Sequence, residues 1–275
     1  MTKKVKLAVL GNPVAHSRSP EIHEMFAKQC GKEIVYGKIE VPLGEFLDTI
    51  DDLIGQHYCG VNVTIPFKID AYRCAGKCTS RARQSQAANT LKFEGSKVLA
   101  DNTDGEGFVR DVKERLGYKL QGKRVLFLGA GGAVRGILPS LLDEMPRSVT
   151  VANRSLARAQ ELQEEFGIQN ILYDEIDSEN YEVIINATPA SLQNKAPLIH
   201  SEAFESCDVA YDLVYAPKAT PFMQMATDAG VKISTDGLGM LVEQAASSFE
   251  FWLGVRPQTP EVYKAIRELI DKEGH

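Results

Sequence analysis

The sequence lacks the features of disulfide-rich, membrane-spanning and nucleic-acid-binding proteins. Its 275 residues include five cysteines, which are too few and too scattered for a disulfide framework, so reduced thiols are expected. No apolar run approaches the ~20 residues that span a bilayer, and the start, MTKKVKLAVLGN, has too short an apolar run for a signal peptide. The net charge of −6 comes without long runs of one sign, which disfavours nucleic acid as a partner. These absences predict a cytoplasmic protein.

Candidate metal ligands are also scarce. Cys74 and Cys78, in the segment CAGKC, are a close pair of the kind that can begin a zinc site. Zinc takes four ligands, however, and the sequence contains neither a second close cysteine pair nor a nearby histidine pair. No metal is therefore expected.

What the chain does contain is a regular alternation of strand and helix patterns. The segments VKLAVLG, SPEIHEMFAKQC, EIVYGKIEV, LGEFLDTIDDLI and GVNVTI alternate in this way and predict βα units with a mostly parallel sheet. NTLKFEGSKVLADN predicts a hairpin that turns at residues 94–96, and DGEGFVRDVKERLG a helix capped by Asp104. A second βαβ pattern begins at GKRVLFLGAGGAVRGILPSLL, and the break falls near residues 105–122. The predicted fold class is α/β with two domains.

The segment VLFLGAGGA predicts a dinucleotide site. Glycines directly after an apolar strand let the backbone approach a pyrophosphate, and the N-terminus of the following helix attracts the anion. Val134 stands at the third glycine of the strict fingerprint, although Ala133 and Gly136 are small enough for close helix packing. The strand-turn-helix context favours nucleotide binding over a glycine turn without a ligand. The residues predicted to bind the pyrophosphate are Gly129, Ala130, Gly131, Gly132 and Ala133.

The segment VANRSLAR, about twenty-four residues further on, indicates the type of cofactor. An NAD site places a carboxylate at the end of this second strand to bind the ribose 2′-hydroxyl. Here the strand is followed by Asn153 and Arg154, with Arg158 one helical turn later. Guanidinium groups can bind a 2′-phosphate, so the sequence predicts NADP, with solvated arginines as the alternative.

Polar residues of the first domain suggest a second site. In GVNVTIPFK, Asn62 and Thr64 share one face of a strand, whereas Val61, Val63 and Ile65 are predicted to pack into the core. Pro66 is predicted in the first turn of a helix that holds Lys68 at the mouth of the site. Judged from this segment by itself, the alternative is a half-buried edge strand whose polar face is exposed to solvent.

Two helix starts add candidate ligands. In GNPVAHSRSPEIH, Ser17 and Ser19 lie at a helix N-terminus, where hydroxyls and free N–H groups can bind a carboxylate. The alternative is that a serine only caps the helix. In DNTDGEG, Asp104 opens another helix. Reduction of a ketone by hydride leaves an alkoxide that needs a general acid, and a lysine beside a carboxylate, Lys68 beside Asp104, can supply it.

Taken in order, these segments resemble the NADP-dependent shikimate dehydrogenases. The resemblance covers essentially the whole chain through GNPVAHSRSPEIH, NVTIPFK, AANT, DNTDG, GAGGA, NRS, INATP, YDLVY and DGLGMLVEQAA. It implies reversible reduction of 3-dehydroshikimate to shikimate by two domains around a cleft. Residues 1–105, completed by C-terminal helices at 240–275, would form a substrate-binding catalytic domain, and residues 106–239 a doubly wound, Rossmann-type NADP domain.

The resemblance also implies roles for single residues. Ser17 and Ser19 would hold the substrate carboxylate with help from Tyr215, and Lys68 would be the acid/base group. The residues that would bind ring hydroxyls are Asn62, Thr64, Asn89, Asp104 and Gln244. The residues that would contact the 2′-phosphate are Asn153, Arg154 and Arg158, and those around the nicotinamide are Thr188, Leu213 and Gly237.

Three positions depart from the family pattern. Glu24 stands where asparagine is usual, and Gln86 and Ser191 stand where glycine is usual, so the turn at Gln86 and the loop at Ser191 are open questions. A paralogue that accepts quinate or NAD remains an alternative, as does a catalytically silent dinucleotide-binding regulator. The oligomeric state, including a homodimer, is left open by the sequence.

Overall fold

The computed structural model describes residues 4–176 and 181–274, and the chain divides into two compact units. The first segment of unit 1 ends at Gly107, and Val242–Ile266 returns to the same unit. Unit 2 comprises Phe108–Leu241 and the segment that starts at Arg267. Each unit is a sheet with helices, which confirms the predicted α/β class.

Unit 1 contains a mixed sheet of six strands among the described residues. These strands are β1 (Val5–Gly11), β2 (Ile34–Glu40), β3 (Gly60–Val63), β4 (Lys77–Cys78), β5 (Thr90–Glu94) and β6 (Lys97–Asp101). Their order in the sheet is β2-β1-β3-β5-β6-β4. β1 is parallel to both of its neighbours, whereas β5 is antiparallel to β3 and β6. Because β3 and β6 both oppose β5, the strands β1, β3 and β6 end at the same edge of the sheet.

Unit 2 contains six parallel strands within the part of the chain that the structure describes. These strands are β7 (Arg124–Leu128), β8 (Ser148–Ala152), β9 (Gln169–Ile171), β10 (Val183–Asn186), β11 (Val209–Asp212) and β12 (Ile233–Asp236). Their order is β12-β11-β10-β7-β8-β9, so the chain proceeds outward from β7 first on one side and then on the other. This order belongs to the doubly wound dinucleotide-binding fold, and the Rossmann-type prediction is confirmed.

The α-helices follow the predicted alternation with the strands. In chain order they are α1 (Ser19–Gln29), α2 (Phe46–Gly55), α3 (Lys68–Cys74), α4 (Ser80–Ser85), α5 (Asp104–Arg110), α6 (Gly132–Asp143), α7 (Leu156–Phe166), α8 (Pro221–Asp228), α9 (Leu238–Leu253) and α10 (Pro260–Glu273). A π-helical turn, Asp111–Arg115, continues α5. None of the helices in the described ranges is long and apolar enough to cross a membrane.

The structure corrects one packing prediction in unit 1. Val61 and Val63 are buried as the alternation predicts, but Ile65 is 72% exposed. β3 ends at Val63, so Ile65 no longer follows the pleat and instead lies in the turn that precedes α3. That turn carries the chain from the sheet edge to Lys68.

Candidate active site

Lys68 and Asp104 meet at the edge of the unit 1 sheet. Lys68 is the first residue of α3, just after β3, and Asp104 is the first residue of α5, just after β6. Since β3 and β6 end at the same edge, the two helix starts are neighbours. The Lys68 Nζ atom lies 2.5 Å from Asp104 Oδ2, and the two side chains are 19% and 7% exposed. A lysine ammonium is therefore held against a carboxylate with little access to water.

The starts of both helices differ in detail from the prediction. Pro66 lies in the turn before α3, which begins two residues later at Lys68. Asp104 is the first residue of α5 itself, and its N–H donates to Asn102 Oδ1 at 3.2 Å. Both carboxylate oxygens of Asp104 bind other side chains, Oδ2 that of Lys68 and Oδ1 that of Asn89.

Asn89 extends the lysine–aspartate pair into a longer chain of polar groups. Its Nδ2 atom donates to Asp104 Oδ1 at 2.9 Å and to Gln244 Oε1 at 3.1 Å, and all three side chains are buried. Its Oδ1 atom accepts from the Thr103 backbone N–H at 2.9 Å, which fixes the orientation of the amide. Lys68, Asp104, Asn89 and Gln244 thus form one continuous hydrogen-bonded group.

The two serines and Thr64 lie in the same unit. Ser17 Oγ donates to Ser19 Oγ at 3.1 Å, and the Ser19 N–H donates to Ser17 Oγ at 3.3 Å, where α1 begins. The methyl group of Thr64 lies so close to Gly11 that any side chain at Gly11 would collide with it. The Thr64 hydroxyl makes no hydrogen bond within the described ranges, so it can bind a ligand.

Asn62 is in a different situation from Thr64, although both are on the predicted polar face. The Asn62 side chain is 5% exposed, and its amide is bonded to protein groups at both the oxygen and the nitrogen. The partners are His23, Tyr36, the Asn89 carbonyl, Thr90 and Ser248. Its prediction as a ligand of ring hydroxyls stays a prediction.

In unit 2, the glycine segment leaves room for a pyrophosphate at a helix start. Gly129 has φ of +101°, in the left-handed region that favours glycine. Gly131 and Gly132 have open space where a side chain would be, and α6, 12 residues long, begins at Gly132 without a side-chain cap. The first N–H groups of α6 are therefore available to an anion, which fits a dinucleotide phosphate.

The predicted 2′-phosphate ligands follow β8, the neighbour of β7. Asn153 Nδ2 donates to the Ser155 carbonyl at 2.9 Å, which orders the turn before α7. Arg154 and Arg158 are exposed, and neither forms an ion pair with a carboxylate among the residues that the structure describes. Two guanidinium groups without carboxylate partners suit a phosphate with two negative charges.

Thr188, Leu213 and Gly237 lie at the carboxyl ends of the neighbouring strands β10, β11 and β12. A side chain at Gly237 would collide with the Leu213 carbonyl, so glycine permits this close approach of two loops. Thr188 Oγ1 donates to Asn186 Oδ1 at 2.7 Å. The predicted nicotinamide ligands thus share one edge of the unit 2 sheet. Tyr215 also belongs to unit 2, whereas Ser17 and Ser19 belong to unit 1.

Ser191, one of the departures from the family pattern, has a defined place. Its hydroxyl donates to Asp212 Oδ2 at 2.5 Å, and Asn186 Nδ2 donates to Ser191 Oγ at 3.2 Å. Asp212 also accepts from Thr220 Oγ1 at 2.7 Å, and its burial raises the pKa of the carboxyl. Asn186 and Asp212, within INATP and YDLVY, anchor the loops of Thr188 and Leu213 and were not singled out from the sequence.

Tyr36 and His23 are further residues that the sequence reasoning missed. Both are buried, and their rings stack at 4.6 Å between centroids. Burial lowers the pKa of His23 to about 3, so the imidazole is neutral, and burial raises the pKa of Tyr36 well above its usual value. The available signal was His23 one helical turn after Ser19 in α1. Among the described residues, no group of three or more His, Cys, Asp or Glu side chains is arranged to hold a metal ion.

Comparison with known proteins places this geometry in a family. Residues 9–91 match the shikimate dehydrogenase substrate binding domain, residues 111–214 match shikimate/quinate 5-dehydrogenase, and residues 237–267 match the shikimate 5′-dehydrogenase C-terminal domain. The shikimate dehydrogenase (NADP(+)) of Chromobacterium violaceum is 44% identical over 269 residues, which cover 96% of this chain and 98% of the relative.

Solved structures agree with the sequence comparison. An Ael1 enzyme from Pseudomonas putida is 38% identical, with a TM-score of 0.90 over 95% of this chain and 98% of that one. Shikimate 5-dehydrogenase from Thermus thermophilus, in complex with NADP(H) and shikimate, is 34% identical, with a TM-score of 0.88 over 96% of this chain and 99% of that one. The matched segments and these identities show that the chain belongs to the shikimate dehydrogenase family.

Proposed function

We propose that this chain catalyses the reversible NADP-dependent reduction of 3-dehydroshikimate to shikimate. The observation that carries the proposal is the continuous polar group formed by Lys68, Asp104, Asn89 and Gln244 at one edge of the unit 1 sheet. A proton donor next to several buried groups that can bind hydroxyls suits a substrate that is both a ketone and a polyol.

In this proposal Lys68 is the acid/base group. When bound, NADPH would supply the hydride for the carbonyl carbon. The Lys68 ammonium gives a proton to the carbonyl oxygen of the substrate. In the direction of oxidation the neutral amine takes that proton back. Asp104, 2.5 Å from Nζ, holds the ammonium in position for the transfer.

The remaining site residues orient the substrate and the cofactor. Ser17 and Ser19 hold the substrate carboxylate with help from Tyr215. Thr64, Asn89, Asp104 and Gln244 bind its ring hydroxyls. A substrate that lacks one of these hydroxyls would leave a buried polar group unpaired, at a cost of ~1–3 kcal/mol per group.

The cofactor groups complete the assignment. Gly129 to Ala133 contact the pyrophosphate, and Asn153, Arg154 and Arg158 bind the 2′-phosphate. Thr188, Leu213 and Gly237 contact the nicotinamide end.

We assign substrate binding and catalysis to residues 1–105 with 240–275, and NADP binding to residues 106–239. The protein is proposed to act in the cytoplasm, since it has few cysteines and no charge pattern for membranes or nucleic acid, and a homodimer is proposed as its candidate assembly.

The test follows absorbance of the reduced nicotinamide with purified protein in four mixtures, shikimate or quinate with NADP or NAD. Turnover that is strong only with shikimate and NADP supports the reaction and the cofactor together. Comparable rates with quinate or NAD favour the second candidate, a quinate/shikimate dehydrogenase, which the family description for residues 111–214 includes. If folded protein that binds NADP shows no turnover in any of the four mixtures, the proposal is contradicted.

A further inference from the structure

The carboxylate of Asp212 is surrounded by hydrogen-bond donors at the end of β11. The side chain is 0% exposed, and its two oxygens together offer about four lone-pair positions. Oδ1 accepts from Asn186 Nδ2 and from the Val214 N–H, both at 3.1 Å. Oδ2 accepts from Ser191 Oγ at 2.5 Å and from Thr220 Oγ1 at 2.7 Å. Each acceptor position therefore has a donor, and removal of one donor would leave a buried carboxylate incompletely bonded.

Ser191 is the donor that lies in a loop. It is the first residue of the 3₁₀ turn Ser191–Gln193, which follows β10. Its Oγ atom also accepts from Asn186 Nδ2, at 3.2 Å. Because Asn186 Nδ2 donates to Asp212 as well, the side chains of Asn186, Ser191 and Asp212 form a closed ring of hydrogen bonds. This ring attaches the loop after β10 to the end of β11.

The ring also determines which way the Thr188 hydroxyl faces. The Nδ2 end of the Asn186 amide must face the Asp212 carboxylate, which only accepts, so Oδ1 is the end that faces Thr188. Asn186 Oδ1 accepts from the Thr188 N–H at 3.1 Å and from Thr188 Oγ1 at 2.7 Å. The hydroxyl hydrogen of Thr188 is thereby given to Asn186. One lone pair of this hydroxyl faces the Ala190 N–H at 3.4 Å, and the second can accept from an N–H donor such as the carboxamide of a nicotinamide.

The same side chains hold the second loop of the predicted nicotinamide site. The Leu213 N–H donates to the Asn186 carbonyl at 2.9 Å, and the next residue, Val214, donates its N–H to Asp212. The Leu213 carbonyl lies so close to Gly237 that a side chain there would collide with it. The predicted nicotinamide ligands therefore all depend, directly or through a neighbour, on the positions of Asn186 and Asp212.

We propose that Ser191 is a positioning residue for the nicotinamide end of NADP, because its hydroxyl closes the ring that orients Thr188 and holds the loop of Leu213. This inference rests on the proposed function, since it takes Thr188 and Leu213 as ligands of the nicotinamide. Ser191 acts through Asn186 and Asp212, to which its hydroxyl is already bonded. Glycine, the usual residue at this position in the family, cannot form these hydrogen bonds.

The test is Ser191→Ala, which removes the hydroxyl from a partly exposed loop position. Loss of one net hydrogen bond predicts a ~3–10-fold rise in the KM for NADP. The value of kcat should also fall, by about twofold or more, because hydride transfer requires close alignment of the reacting groups. The KM for shikimate should change less than about twofold, since the proposed substrate ligands of unit 1 are unaltered.

A binding measurement distinguishes positioning of the nicotinamide end from a general loosening of unit 2. Adenosine 2′,5′-bisphosphate carries the adenosine and the 2′-phosphate of NADP but has no nicotinamide. In isothermal titration calorimetry, Ser191→Ala should bind NADP ~3–10-fold more weakly than the parent and should bind adenosine 2′,5′-bisphosphate with the affinity of the parent. Equal weakening of the two ligands would overturn the inference.

Ser201→Ala is the matched control. Ser201 begins another 3₁₀ turn of unit 2, Ser201–Phe204, and its exposed hydroxyl donates to the Glu202 carboxylate at 3.2 Å. This variant also loses a hydrogen bond from a serine to a carboxylate, but outside the ring, and it should bind both ligands as the parent does. Ser191→Gly should behave like Ser191→Ala. Weaker NADP binding in the glycine variant alone would assign the effect to backbone freedom and overturn the role of the hydroxyl.

The parent protein separates this inference from the proposed function. If folded parent protein neither binds NADP nor oxidises shikimate, the proposed function fails. If the parent does both and Ser191→Ala binds NADP as tightly as the parent, the function stands and the positioning role of Ser191 is wrong.

Discussion

Asp104 binds Lys68 with one carboxylate oxygen and Asn89 with the other. Oδ2 lies 2.5 Å from Lys68 Nζ, and Oδ1 accepts from Asn89 Nδ2 at 2.9 Å. A carboxylate that is fixed at both oxygens cannot rotate, so the ammonium on one side has a defined position relative to the Asn89 amide on the other. In the proposed function, this arrangement directs a flexible lysine side chain at a single oxygen of the substrate.

Replacement of Lys68 by alanine should abolish turnover and leave folding intact. General acid–base catalysis contributes about 10²–10⁴-fold, so kcat should fall by at least ~100-fold. Shikimate binding, followed by Trp252 fluorescence, should be partly retained, because the other ligands remain. Lys77→Ala, at an exposed lysine of the same unit, is the control and should behave as the parent. Normal turnover of Lys68→Ala would remove Lys68 from the acid/base role.

Replacement of Arg154 should change the choice of cofactor. Arg154 is exposed after β8, and charge-assisted hydrogen bonds contribute about 1.5–3 kcal/mol. Arg154→Ala should therefore raise the KM for NADP by ~10–100-fold and leave the KM for NAD nearly unchanged, and Arg158→Ala should act in the same direction. Arg147→Ala is the matched control for Arg154→Ala, because Arg147 is an exposed arginine at the opposite end of β8. Parallel rises for NAD and NADP would show that the arginine does not bind the 2′-phosphate.

Gln86 should be a source of instability that a single substitution relieves. It ends α4 with φ of +48°, in the left-handed region that costs a residue with a side chain roughly 1–2 kcal/mol. Glycine at this position removes that cost, but its greater freedom in the unfolded chain cancels part of the gain, so Gln86→Gly should raise the free energy of unfolding by ~0.5–1 kcal/mol. Gln84→Gly, at an exposed helical position of α4, should lower it instead. Urea denaturation measures the free energy of unfolding of both variants relative to the parent. A change of the same sign in the two variants would refute the argument that Gln86 is strained.

Much of the fold was predictable from local pattern. The segment VKLAVLG coincides with β1, and the hairpin turns at Gly95 and Ser96 as the sequence indicates. These features depend on residues that are close in the chain, through alternation and turn chemistry. The pairing of Lys68 with Asp104 followed from chemical need and from the family resemblance, and the strand directions explain why the two helix starts meet.

The interior position of Asn62 was not predictable in the same way. Its neighbour Thr64 has the same parity, and the Thr64 hydroxyl makes no hydrogen bond to any described residue. Asn62, in contrast, is hydrogen-bonded to Ser248, which lies 186 positions further along the chain. Tyr36 and His23 reach Asn62 across 26 and 39 positions. Alternation shows which face of a strand is polar, but which distant element covers that face depends on the tertiary fold.

The burial of His23 predicts a stability that falls as the pH is lowered. Its pKa is about 3 in the folded protein and ~6.5 when unfolded, so the unfolded chain binds a proton that the folded protein does not between these values. The contribution of this group to stability is therefore complete above pH ~6.5 and is lost by up to ~1.4 kcal/mol per pH unit as the pH falls. Urea denaturation between pH 7 and pH 5 measures how steeply the free energy of unfolding changes with pH. This interval lies above the range where most carboxylates titrate.

His23→Gln isolates this effect, because glutamine keeps an N–H donor for Asn62 and does not titrate. The slope between pH 7 and pH 5 should be much smaller in the variant, even if its stability at pH 7 is reduced by the altered packing. His57→Asn is the control, since His57 is exposed and its φ of +63° suits asparagine, and the slope should then match the parent. A parent slope that survives in His23→Gln would mean that other groups cause it and that the burial of His23 does not make stability depend on pH.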